Sequence, residues 1–98
     1  MADFYLKPLT NGSVTGTGTL SLGTKMFGGG ILIADGTNTA SIVIRNDTSG
    51  GDIIFEASSQ TTVPIHGPYG SSTAIHYTVS GTGGEFFPYE WSSKQVLP

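Results

Sequence analysis

The chain contains no cysteine, which excludes a disulfide framework and a thiolate metal centre and leaves packing alone to hold a small domain together. Charge is scarce as well: Asp, Glu, Lys and Arg supply 11% of residues, against about 25% in an average soluble domain. The four basic residues, Lys7, Lys25, Arg45 and Lys94, are scattered and the formal net charge is −3. A phosphate-binding surface needs clustered cations, so nucleic acid is not the expected partner. No apolar run approaches the roughly 20 residues that span a bilayer, and Met1-Ala2-Asp3 does not open a basic-then-apolar leader. The expectation is synthesis in the cytoplasm with no membrane as partner. A 3.6-residue apolar stripe long enough for a helix is also missing, as is any internal repeat at a period of 20 to 50 residues.

What is present is hydroxyl, glycine and short β-branched runs. Thirteen Thr, eleven Ser and fifteen Gly make 39 of the 98 residues, a share that would suit a disordered chain if apolar residues did not recur so regularly between them. Ile31-Leu32-Ile33-Ala34, Ser41-Ile42-Val43-Ile44-Arg45 and Ile53-Ile54-Phe55 are strand-length runs separated by Gly, Asn, Asp and Thr, which predicts a meander over Gly30 to Phe55 as the centre of the fold. Gly28-Gly29-Gly30 reads as a tight reversal before it; Asp35 to Thr39 and Asn46 to Gly51 read as hairpin loops. Thr61 to Ile65 is a strand placed at an edge or a bulge by Pro64, which has no N–H to give to a ladder. Ala74 to Ser80 alternates cleanly, with Ile75, Tyr77 and Val79 inward and His76, Thr78 and Ser80 outward. Gly81 to Gly84 is then expected to close a hairpin into Phe86-Phe87-Pro88-Tyr89-Glu90-Trp91. The predicted fold is all-β: a single domain over 1–98, an antiparallel β-sandwich or jelly-roll-like barrel of about eight short strands, with 1–10 and 92–98 open as extended arms.

Tests for chemistry give little. Asp35 and Asn38 share one loop and Asp47 and Asp52 another, but the alternating-acid pattern of a calcium loop is absent, and such residues in turns ordinarily bond their own backbone. His66 and His76 lack the short spacing and third ligand of a zinc site. No Gly-x-Ser-x-Gly elbow marks a hydrolase, and pairing Glu56, Glu85 or Glu90 as in a glycosidase needs a cleft that a small sandwich does not offer. Asn11-Gly12-Ser13 and Asn46-Asp47-Thr48 match a glycosylation pattern but read as turns. No enzyme, no cofactor and no metal are therefore expected.

The aromatic end of the chain carries the strongest signal. Phe87, Tyr89 and Trp91 share one face of a terminal strand and Phe86 and Pro88 the other, whereas one core covers only one face. Aromatic enrichment marks interface cores, so Phe86, Phe87, Pro88, Tyr89 and Trp91 are the expected subunit contacts. Beyond Arg45 and Glu56 almost no charge guards the strands, which points the same way, toward edges covered by a partner subunit.

Taken together, Gly28-Gly29-Gly30-Ile31-Leu32-Ile33, Ser41-Ile42-Val43-Ile44-Arg45-Asn46, Gly51-Asp52-Ile53-Ile54-Phe55, Val63-Pro64-Ile65, Tyr77-Thr78-Val79-Ser80-Gly81-Thr82 and the aromatic last strand resemble small β-sandwich structural proteins of tailed bacteriophages, over residues 20 to 91. The resemblance implies a virion protein, foremost a capsid decoration (cement) protein bound to the major capsid protein, otherwise a head, tail or fibre accessory part. It further implies a symmetric homo-oligomer, a trimer above all. A carbohydrate-binding module that stacks exposed aromatics on host-surface glycan is the competing expectation.

Overall fold

The computed structural model describes residues 2–23, 25–69 and 73–95. Eight strands follow one another: β1 (Ala2–Pro8), β2 (Thr17–Ser21), β3 (Met26–Ile33), β4 (Ala40–Asn46), β5 (Ile53–Ser59), β6 (Val63–Tyr69), β7 (Ala74–Ser80) and β8 (Glu85–Gln95). They form two four-stranded antiparallel sheets, β1-β8-β3-β6 (sheet A) and β2-β7-β4-β5 (sheet B). No helix occurs among the described residues. The pairings β1 with β8, β2 with β7, β3 with β6 and β4 with β5 are nested, as in one long hairpin with its tip between β4 and β5. Rolling that hairpin adds the β3–β8 and β4–β7 ladders. The result is a jelly roll, the double-sheet solution to covering strand edges.

This topology revises the expected meander. Of the three runs between Gly30 and Phe55, only β4 and β5 are hairpin neighbours, joined through Asn46 to Gly51 as predicted; β3 lies in the opposite sheet. The Asp35 to Thr39 and Gly81 to Gly84 segments therefore cross between sheets and are not hairpin loops. Asp35 shapes its crossing: its carboxylate accepts from the backbone N–H groups of Thr37 (2.8 Å) and Asn38 (2.7 Å) and from the Asn38 amide (2.9 Å). Those bonds favour the charged form and hold its pKa below the ordinary value, the Asn38 backbone bond first.

The glycine triplet is a second correction. Gly28, Gly29 and Gly30 lie inside β3, where the register shifts against both β6 and β8. At Gly29, φ is +85° and a Cβ would sit 2.2 Å from the Ile65 carbonyl oxygen; at Gly30 it would sit 2.3 Å from that of Phe87. The residues serve a bulge pressed between two neighbouring backbones, a strand use of glycine.

Between the sheets the core is filled by hydrocarbon. Ile42, Ile44, Ile75, Tyr77 and Val79 enter from sheet B, Phe27, Leu32, Ile65 and Phe86 from sheet A. The expected alternation of β7 is present, and Pro64 lies on the edge strand β6. Phe86 meets Phe27 edge-on with ring centroids 6.2 Å apart and Tyr77 at 5.7 Å, contacts worth about 0.5–1.5 kcal/mol each beyond burial. Of the segments read as arms, 2–8 and 92–95 are strands paired with each other, from Ala2 opposite Gln95 to Pro8 opposite Tyr89.

Candidate interaction surface

Period 2 in β8 decides what this surface can be. Phe86, Pro88 and Glu90 are buried while Glu85, Phe87, Tyr89 and Trp91 alternate with them at intermediate exposure. Phe86 is 0% exposed, so the structure withdraws Phe86, and with it buried Pro88, from the expected subunit contacts: both are held by the monomer's own core. Phe87, Tyr89 and Trp91 remain on the outer face of sheet A.

Register extends that face sideways. Trp91 lies opposite Leu6 on one side and Met26 on the other, Tyr89 lies opposite Pro8, and Phe87 lies opposite Ile31, which faces Pro64 in turn. Leu6 and Met26 are 49% and 37% exposed. The Phe87 and Tyr89 rings are 5.4 Å apart and tilted by 48°. Among the described residues the formal charge on this face is Glu85, at its end, where the Ser13 hydroxyl donates to it. Sheet A is thus apolar on both sides, which one core cannot satisfy.

The outer face of sheet B differs. Thr17 and Thr19 of β2, His76, Thr78 and Ser80 of β7, and Ser41 and Ser58 of β4 and β5 turn outward. Thr19 Oγ1 lies 3.0 Å from His76 Nδ1 and the Ser41 and Ser58 hydroxyls are 2.7 Å apart. A shallow groove of about 260 Å³ runs over β4 and β5, lined by Ser41, Ile42, Val43, Glu56, Ala57 and Ser58, below the roughly 300–1,000 Å³ of ordinary ligand sites.

The residues tested for chemistry do not converge. Glu56 is on the outside of sheet B, Glu85 on the outside of sheet A, and Glu90 inside. Asp35 is occupied by its own turn, and Asp47, at φ +70°, accepts from Thr73 Oγ1 at 3.2 Å. His66 stands on β6 and His76 on β7, in opposite sheets. Among the described residues no three His, Asp or Glu side chains come together as a ligand set.

Sequence reasoning missed the Lys25–Glu90 pair. Glu90 is 4% exposed, and its Oε2 lies 3.3 Å from Lys25 Nζ without hydrogen-bond geometry, while the bond Nζ makes to Oε1 is long, at 3.5 Å. The available signal was parity: Glu90 shares its side of β8 with Phe86 and Pro88.

No family model matches this chain, and neither the curated proteins nor the solved structures contain a match to it.

Proposed function

We propose that the chain is a non-enzymatic structural protein of a virion, foremost a capsid decoration (cement) protein, which assembles as a homo-oligomer and holds to the major capsid protein. The observation that carries this reading is the aromatic outer face of sheet A, centred on Phe87, Tyr89 and Trp91 with its formal charge confined to Glu85 at the end, over a core packed with apolar side chains. A contiguous apolar surface of this kind marks an interaction site. A jelly roll serves viral capsids, lectins and cupins alike, so the surface and not the fold carries the reading. A trimer suits the local threefold positions of an icosahedral shell; a head, tail or fibre part is the variant of the same reading.

The glycan-binding module is kept as a second reading because the same outward rings offer a stacking surface. Light scattering on wild type and Tyr89→Ser separates the two. The decoration reading expects an oligomer that the substitution weakens by about 2 kcal/mol or more per contact, together with loss of attachment to purified particles. Saturable polysaccharide binding followed by Trp91 fluorescence, on a monomer that ignores particles, overturns it.

A further inference from the structure

The four sheet edges are defended unequally. β6 carries Pro64 and Pro68, β1 carries Lys7 and Pro8, and β2 is five residues long with Gly18 in it. β5, the remaining edge, runs seven residues from Ile53 to Ser59 without Pro, Gly, Lys or Arg. Such a strand offers a row of backbone donors and acceptors to any extended chain beside it.

Two further observations specify the guest. Glu56, in the middle of β5, is exposed and has no ion-pair or hydrogen-bond partner among the described residues. Arg45, on the same outer face, donates to the Gly51 carbonyl at 3.0 Å. Glu56 also lines the groove with Val43 and Ala57, which suits the aliphatic stem of a long side chain. Towards the tip of the hairpin, Ile53 is 46% exposed and lies opposite Arg45.

From these we infer that the β5 edge is a strand-addition site for an extended segment of a partner protein that sets a Lys or Arg opposite Glu56 and apolar residues to either side. The ladder supplies affinity without regard to sequence, and the Glu56 pair and the groove supply selectivity. A second copy of β5 fits less well, because antiparallel self-pairing centred on Glu56 brings two carboxylates face to face. The surface is separate from the aromatic face of sheet A.

The test uses ¹⁵N-labelled protein and the blocked peptide Thr-Val-Thr-Lys-Thr-Val-Thr at millimolar concentration, read by amide hydrogen exchange. Amides of β5 should exchange roughly tenfold more slowly with peptide present, those of β2 and β6 should not change, and the version with Glu for Lys should bind about tenfold more weakly. Glu56→Gln should erase the preference and Glu56→Lys reverse it; both replace an exposed side chain and leave the core intact. Equal protection by the two peptides, protection that ignores Glu56, or no protection of β5 overturns the inference. So does concentration-dependent protection of β5 without peptide, which makes a second copy the occupant.

Discussion

The outer faces of the two sheets are built from the same number of strands and opposite chemistry. On sheet B the outward positions are mostly Thr, Ser and His, with Thr19 against His76 and Ser41 against Ser58, and Val43, Arg45 and Glu56 beside them; on sheet A they are Leu6, Met26, Ile31, Phe87, Tyr89 and Trp91, with Glu85 at the end. Both sheets bury one face in the shared core, so core formation alone explains sheet B and leaves sheet A with a second apolar surface. The difference separates a surface that the fold itself explains from one that it does not.

The sharpest way to break that separation lies within two adjacent residues. Phe86→Ala opens the core and should cost about 3–5 kcal/mol, a large part of the 5–15 kcal/mol or so that a domain has. Phe87→Ser should leave the melting temperature of the monomer nearly unchanged and weaken association instead. Calorimetry with light scattering on both variants checks this, and equal melting losses would erase the distinction between the faces.

A smaller effect is expected at the carboxylate on the inner side of sheet A. Lys25→Met leaves Glu90 enclosed without its cation and should cost about 2–3 kcal/mol, under the value for a fully buried pair because solvent reaches Lys25. Glu90→Leu added to Lys25→Met should recover most of the loss in urea unfolding; a loss that persists would assign the effect to the Lys25 loop.

On the polar side, Thr78→Lys should stay within about 0.5 kcal/mol of wild type and leave the assembly state unchanged by light scattering. A drop in mass would show that sheet B also carries a subunit contact. The smallest effect belongs to Asp35. Its pKa is lowered in the fold, so the charged carboxylate contributes stability above the ordinary carboxylate range, and the contribution is lost as pH falls through the lowered value. Melting curves of wild type and Asp35→Ala should differ at neutral pH and converge in acid.

Much of the fold was legible. The inward set of β7, the β4–β5 hairpin and the edge position of Pro64 each follow from one local rule, alternation, turn chemistry or a missing N–H. Sheet membership was not, because a polar loop such as Asp35 to Thr39 has the same composition whether it turns back to a neighbour or crosses to the other layer. Gly28-Gly29-Gly30 is equally ambiguous, since a tight turn and a bulge between close backbones both ask for glycine. In the candidate surface, Phe87, Tyr89 and Trp91 were legible and the exclusion of Phe86 and Pro88 was not. With aromatics on both sides of β8, periodicity has no polar side to orient it, and the charged residue among those aromatics, Glu90, points inward toward Lys25.

The nested pairing also governs the order of events in the cell. The β4–β5 tip closes over a few residues and can form early, whereas sheet A is incomplete until β8 arrives, because β8 lies between β1 and β3. Ala2 finds its partner only at Gln95, and such distant closures slow folding. During translation at about 5–20 residues per second, β1 and β3 wait with bare flanks. The nascent chain is therefore most prone to tangle with its neighbours before β8 is made, and a ribosome stalled ahead of Glu85 would leave a product that cannot complete sheet A.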